Sequence, residues 1–164
     1  MIYIGIDPAI HCGWAILASD GERLSSGTWD LGGRDAHDGA RWSRLQTEIQ
    51  SVLFSILPEP VKLAYERVEA HGGARASGES YRSGASAAHN YGGLVAVITM
   101  VCHERGVPYR AIPVATIKRA AGKGNLSKPA MITAAKRRWR MAERPGEDEA
   151  DALWIAESLR LSSI

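Results

Sequence analysis

The sequence predicts an α/β fold in which a mixed, five-stranded sheet carries helices on both faces. Runs of β-branched and aromatic residues alternate with stretches of helical periodicity, the order expected of an α/β domain. The first three strands follow one another without a helix, which predicts an antiparallel meander. The 164 residues, 45% of them hydrophobic, suffice for one core, so we expect a single domain over residues 1–164.

The strands are predicted from short apolar runs that stop at turn-forming residues. Pro8 ends the first strand, and Asp20 with Gly21 forms the hairpin turn between the second and third. The first and fourth strands both end on a carboxylate. The predicted strands cover residues 2–7, 13–18, 23–31, 61–66 and 109–112.

The helices are predicted from apolar residues at helical spacing and from their flanking residues. Gly106 and Pro108 end the second helix, and Ser127 is expected to cap the fourth. The small residues of the second helix suit packing on the sheet or contact with a second copy of the chain. The predicted helices cover residues 42–56, 85–105, 114–121, 127–139 and 148–161, and residues 67–84, which lack periodicity, are predicted to form a long loop.

Four carboxylates are the main candidates for chemistry. Asp7 and Glu66 end strands, where α/β folds place their sites. Asp148 and Asp151 are three residues apart and share one face of the last helix. That face continues with apolar residues, so both acids are expected to face the core, whereas Glu157 falls off it and is expected in solvent.

A divalent cation is the expected partner of these acids, because carboxylates facing a core are costly without compensation. No cysteine or histidine cluster accompanies them, which favours a hard cation with oxygen ligands. We expect Asp7, Glu66, Asp148 and Asp151 to hold two Mg²⁺ ions, with Mn²⁺ as a substitute. Two such ions stabilise the attacking and leaving oxygens of an in-line phosphoryl displacement.

Positive charge is concentrated in one segment of the chain. The 20 Lys and Arg residues exceed the 18 Asp and Glu residues by only +2, yet residues 105–140 contain ten cations and no acid. An ordinary surface mixes both signs, so this basic segment is expected to bind a polyanion such as nucleic acid.

Other features exclude several classes of protein. Cys12 and Cys102 form no Cys-x-x-Cys pair, and a disulfide framework is not expected. No stretch is apolar enough for a membrane span, and the N-terminus does not resemble a secretory leader. The loop at residues 122–125 lacks the Walker pattern. We expect a cytoplasmic protein with no membrane contact and no small-molecule cofactor beyond the metal.

Four short motifs carry a resemblance to a known family. They are Gly-Ile-Asp-Pro at residues 5–8, Gly-Trp-Ala-Ile at 13–16, Tyr-Glu at 65–66 and Ala-Asp-Ala-Leu at 150–153. In this order, and over essentially the whole chain, they resemble the RuvC-type Holliday junction resolvases of the ribonuclease H-like superfamily. The resemblance implies a ribonuclease H-like fold and a homodimer. It also implies metal-dependent nicking of two opposed strands of a four-way DNA junction, leaving 5′-phosphate and 3′-hydroxyl ends.

The resemblance also implies roles for single residues. The acids matching Asp7, Glu66, Asp148 and Asp151 bind the metals in that family, and Asp7 would contact both ions. Lys118 and Lys128 look like counterparts of lysines that matter there, and either would stabilise charge on the scissile phosphate. Cations and an aromatic of the loop and the basic segment are expected to contact DNA: Arg67, His71, Arg75, Tyr81, Arg82, Lys118, Arg119, Lys123, Lys128, Lys136 and Arg137.

One departure from the family keeps two alternatives open. The family often carries a phenylalanine wedge just after the second acid, where this chain has Arg67 and Val68, and His71 or Tyr81 is the nearest substitute. This departure favours a divergent, phage-type member. A related nuclease acting on forks, flaps or RNA–DNA hybrids is one alternative. A non-catalytic nucleic-acid-binding domain, whose acids only balance the basic segment, is the other.

Overall fold

A mixed five-stranded sheet forms the centre of the computed structural model. The structure describes residues 1–32, 36–68 and 79–162. Within the last of these ranges, side chains are described from residue 86 onward. The strand order is β3-β2-β1-β4-β5. The pairs β1–β2 and β2–β3 are antiparallel, whereas β1–β4 and β4–β5 are parallel. The predicted mixed sheet is therefore confirmed. The strands are β1 (Ile2–Asp7), β2 (His11–Leu17), β3 (Arg23–Asp30), β4 (Val61–Arg67) and β5 (Tyr109–Pro113).

Helices cover both faces of the sheet, as predicted. The sheet lies between two apolar clusters. One contains buried residues of the first two helices, and the other contains buried residues of the last three. None of the helices in the described ranges is long and apolar enough to cross a membrane. The helices are α1 (Asp38–Ile56), α2 (Glu79–Glu104), α3 (Val114–Ala120), α4 (Lys128–Arg138) and α5 (Glu147–Leu161).

Side chains alternate between the two faces of the sheet along β1, and this alternation determines the face on which the Asp7 carboxylate lies. Ile4 and Ile6 are buried in the α1–α2 cluster, whereas Tyr3 is buried in the cluster that contains α5. Successive strand residues point to opposite faces, so Asp7 shares the face of Tyr3 and Gly5. In β4, Ala64 joins the α5 cluster, and Glu66 has the same parity. Both strand carboxylates therefore face α5.

Two glycines let α5 approach the sheet closely. A Cβ atom on Gly5 would overlap the carbonyl oxygen of Ala152, and one on Gly13 would overlap the carbonyl group of Asp148. Any other residue at either position would push the helix away from the sheet. The glycines of the two N-terminal motifs therefore set the distance between α5 and the ends of β1 and β2.

Three sequence-based expectations need correction. The predicted loop over residues 67–84 is too long, because β4 continues through Arg67 and α2 begins at Glu79. Helix formation is cooperative, so a packed helix extends through polar residues that show no apolar periodicity. Ser127 occupies the N-cap position of α4 as predicted, but its hydroxyl makes no capping hydrogen bond.

The third correction concerns Glu157, which is buried and not solvated. Arg138 Nη2 donates to Glu157 Oε1 at 3.2 Å, and Arg160 Nε donates to Oε2 at 2.7 Å. The two guanidinium groups compensate the buried charge, which apolar periodicity alone could not reveal. Trp139 is buried beside them, and its Nε1 donates to the Gly21 carbonyl at 3.1 Å.

Candidate metal centre

The parallel pairing of β1 and β4 brings two acids to one edge of the sheet. Ile6 lies opposite Tyr65 in the register, so the following residues, Asp7 and Glu66, are neighbours. Both strands end at this edge, and both side chains face α5. The register therefore places the two strand-end acids side by side.

The N-terminus of α5 brings the other two acids to the same place. Asp7 pairs with Gly13, and Gly13 lies directly under the Asp148 backbone. The first helical turn therefore begins beside Asp7, and Asp151 follows one turn later on the same face. Four carboxylates from two strands and one helix converge on one site.

Burial and mutual repulsion both raise the pKa values of these acids. Burial, followed by the charges of Glu66, Asp151 and Asp148, raises the pKa of Asp7 to about 8. Burial is also the main reason that the pKa of Asp151 rises to about 6, and it raises the pKa of Glu66 and of Asp148. The cluster is thus poorly compensated, and additional positive charge would stabilise its ionised form.

Two predicted lysines supply part of that charge. Lys128, the first residue of α4, lowers the pKa values of all four carboxyl groups. Lys118 on α3 lowers those of Glu66 and Asp151. Because β5 is parallel to β4, the helix that follows it starts at the edge of the sheet that carries the acids. Both lysines therefore lie at the site, although their predicted roles stay predictions.

The donor set suits a hard divalent cation. All four side chains offer only oxygen, and their mutual repulsion is the kind that bound Mg²⁺ or Mn²⁺ relieves. In the described ranges, no group of three or more His, Cys, Asp or Glu side chains lies close enough together to hold a metal ion in the conformations present. Metal binding at the four acids would therefore require their side chains to move closer together.

Three residues near the site were not singled out from the sequence. His11 begins β2 at the same edge, lowers the pKa of Asp148 and lies 3.9 Å from Asp30, Nδ1 to Oδ1. Glu147 precedes Asp148 and pairs with Lys128. The Tyr91 hydroxyl donates to the Glu66 carbonyl at 2.8 Å. His11 and Glu147 could have been found from the sequence, because each lies within a few residues of a predicted acid. Tyr91 could not, because it lies 25 residues from Glu66 and no local pattern links the two.

The predicted DNA-contacting residues of the loop fall partly outside the described residues. Arg67 ends β4 and is exposed. His71 and Arg75 lie outside the described residues. Tyr81 and Arg82 belong to the first turns of α2 and not to a loop, and their side chains are likewise outside the description.

The remaining cations of the basic segment are exposed. Arg119 lies on α3, Lys123 on the connection to α4, and Lys136 and Arg137 on α4. Lys123 and Arg137 line a cleft of about 590 Å³ between that connection and α4. The cleft walls are otherwise mainly small and apolar, and the four carboxylates are not among them. Exposure leaves these cations available to phosphates, and their predicted DNA contacts stay predictions.

Comparison with solved structures identifies the fold. A structure of Thermus thermophilus RuvC superimposes with a TM-score of 0.77 and 23% sequence identity, covering 99% of this chain and 96% of that one. T. thermophilus RuvC in complex with a Holliday junction substrate gives a TM-score of 0.78 and 21% identity, covering 99% and 95%. This chain has the RuvC fold. The predicted ribonuclease H-like fold and the resemblance to RuvC are confirmed at the level of structure. No protein-family model and no curated protein matches the sequence.

Proposed function

We propose that the protein is a metal-dependent endonuclease that resolves four-way DNA junctions by paired, symmetric nicks. One observation carries the proposal: four partly buried carboxylates converge beside two lysines at the edge of a RuvC fold. T. thermophilus RuvC, which shares the fold, has been solved in complex with a Holliday junction substrate. Oxygen ligands with adjacent cations suit the hydrolysis of a phosphodiester.

Each part of the site has a role in this proposal. Asp7, Glu66, Asp148 and Asp151 would hold two Mg²⁺ ions, with Asp7 shared between them. When bound, the ions would supply Lewis-acid activation of the attacking water and of the leaving oxygen. Lys118 and Lys128 bind the scissile phosphate and stabilise its developing negative charge. The exposed cations of the basic segment hold the arms of the junction through their phosphates.

Two copies of the chain are required for two nicks. The described residues form one such carboxylate cluster, so one copy provides one active site. Symmetric nicks on opposed strands need a second site related by a two-fold axis, which a homodimer provides. We therefore propose a homodimer bound to the junction.

The first prediction is that Asp7→Asn abolishes cleavage and preserves binding. The substitution removes the carboxylate that faces the other three acids, so we expect the rate to fall at least about a thousandfold, the loss of roughly 4 kcal/mol of transition-state stabilisation. Cleavage of a labelled mobile junction in Mg²⁺ measures the rate, and a gel-shift assay measures binding. Asp20→Asn is the matched control, since Asp20 lies in the β2–β3 turn, where it accepts a hydrogen bond from the Glu22 amide, and is not one of the four site acids.

Two further measurements separate the alternatives. Normal cleavage by the Asp7→Asn protein would contradict the proposal. Calorimetric titration with Mn²⁺ should show two saturable sites per chain, and junction binding without saturable metal binding would favour a non-catalytic domain. Faster cleavage of a fork, flap or RNA–DNA hybrid, or unpaired nicks on the junction, would favour a related nuclease.

A further inference from the structure

Lys128 is held by an acid that is not among the four site carboxylates. Lys128 is the first residue of α4, Glu147 is the first residue of α5, and the Lys128 ammonium donates to Glu147 Oε1. The two side chains remain 60% and 48% exposed, so the pair lies at the rim of the site and is open to a bound phosphate.

The packing of two helices fixes this pair. Trp154 on α5 donates from Nε1 to the carbonyl of Met131 on α4 at 3.1 Å, and both residues are buried in the same cluster. Pro129 follows Lys128 in the first turn of α4 and restricts its backbone. The packing of α4 on α5 therefore places the first residues of the two helices, and so the backbones of the pair, near each other.

Bound cations would remove the attraction between Lys128 and the four carboxylates. In the metal-free protein, Lys128 lowers the pKa values of all four carboxyl groups, so it is attracted by their ionised forms. Two divalent cations would carry +4 against the −4 of four ionised carboxylates and would cancel that attraction. Glu147 would then be the acid that still retains Lys128 beside the site. Lys118 makes no ion pair within the described part of the chain, so this restraint is specific to Lys128.

We propose that Glu147 is a positioning residue that keeps Lys128 at the rim of the metal centre, oriented toward the scissile phosphate. This inference rests on the proposed function and adds to it a residue that contacts neither the ions nor the DNA. Exposed ion pairs contribute little to folding stability, so the role of this one is in orientation. Its removal should leave the fold intact.

Cleavage kinetics test the proposal through a double-mutant cycle. We expect Glu147→Gln to lower kcat about tenfold while KM changes less than about twofold, because ground-state DNA binding depends on many other cations. In a Lys128→Met background, the same substitution should have no further effect, since it acts only through Lys128. Glu147→Asp should restore part of the rate. Glu59→Gln, an exposed acid before β4, is the matched control.

A second readout is independent of the nuclease activity. With saturating Mn²⁺ and no DNA, the Lys128 amine should be methylated faster in the Glu147→Gln protein than in the wild type, as measured by mass spectrometry, because the ion pair protects it. Unchanged labelling, a higher kcat or an additive loss in the double mutant would overturn the proposal. Faster labelling in a protein that cleaves no junction would instead show that the proposed function has failed while the ion pair stands.

Discussion

Asp7 gives the metal-free protein a defined pH dependence. Its pKa in the folded state is raised from 3.8 to about 8, so the folded state retains a proton that the unfolded chain releases. This contribution is fully present below about pH 4 and is lost as the pH rises toward 8. The raised pKa values of Glu66, Asp148 and Asp151 act in the same direction. Without metal, stability should therefore fall across this interval.

The corresponding prediction concerns urea unfolding in chelator. The free energy of unfolding of the wild type should fall between about pH 5 and pH 8, and Asp7→Asn should flatten the curve. At about pH 8 the variant should be more stable than the wild type by on the order of 2 kcal/mol, because a poorly compensated buried charge is gone. Saturating Mn²⁺ should reverse this order. A variant less stable than the wild type in chelator would contradict the burial of an uncompensated charge at Asp7.

The sequence predicted the positions of the four acids, but it did not predict the ion pairs that Lys128 and Glu157 form. Asp7 and Glu66 were predictable because strand ends follow from apolar runs and turn residues. Asp148 and Asp151 were predictable from helical spacing. The Lys128–Glu147 pair and the burial of Glu157 depend on how α4 packs on α5, and no local pattern encodes that packing.

At the level of elements, the contact between α5 and the sheet controls the site. Gly13 lies under the Asp148 carbonyl, and Gly5 lies under Ala152 one turn further along. The helix therefore lies almost directly on the backbone of β1 and β2. The Gly-x-Asp motif thus supplies one of the four acids and also a packing contact, because its glycine admits the helix that carries two of the others.

We predict that Gly13→Ala disrupts both stability and metal binding. The new Cβ would displace the start of α5, at an expected cost of about 3 kcal/mol, similar to severe overpacking in a core. Thermal unfolding measures the cost, and Mn²⁺ titration measures the lost sites. Gly39→Ala is the matched control, since a Cβ there meets nothing within 4 Å on α1 and should stabilise the helix by up to about 1 kcal/mol. Equal effects of the two substitutions would contradict the close approach.

The start of α2 shows where element boundaries escape a sequence pattern. Periodicity predicted it at residue 85, whereas the helix begins at Glu79. The body of α2 is fixed by buried residues such as Leu94 and Ile98, and by Gly93, which accommodates the Trp42 ring. Once such a body is packed, each further residue adds a hydrogen bond at little cost. The extension of α2 over residues 79–84 therefore follows from the packing of the helix body, and the sequence of those residues does not predict it.

At the level of the whole molecule, the segregation of charge should control junction affinity. The basic segment places exposed cations on α3, on α4 and on their connection, while the acids gather at the sheet edge. A cation that contacts phosphate releases a counterion from the DNA, so affinity should depend steeply on salt. The small net charge of +2 therefore understates the attraction to DNA.

The prediction is a change in this salt dependence. Replacing Lys136 and Arg137 together by Gln should weaken binding to the same extent whatever the DNA sequence of the junction. It should also reduce the slope of log affinity against log salt concentration by about 2. Fluorescence anisotropy between about 50 and 200 mM salt measures the slope. Lys62→Gln, near the start of β4, should leave it unchanged. An unaltered slope in the double variant would place these two cations away from the DNA.

The Tyr91 hydroxyl has a mechanical consequence for the site. It donates to the Glu66 carbonyl at 2.8 Å and accepts from the Val68 amide at 3.1 Å, so α2 grips the chain on both sides of Arg67. The backbone around Arg67 is thereby joined to the packed body of α2. A displacement of Val68 would have to break the Tyr91 hydrogen bonds before it moved Glu66, so the tyrosine acts as an anchor for one of the four proposed metal ligands.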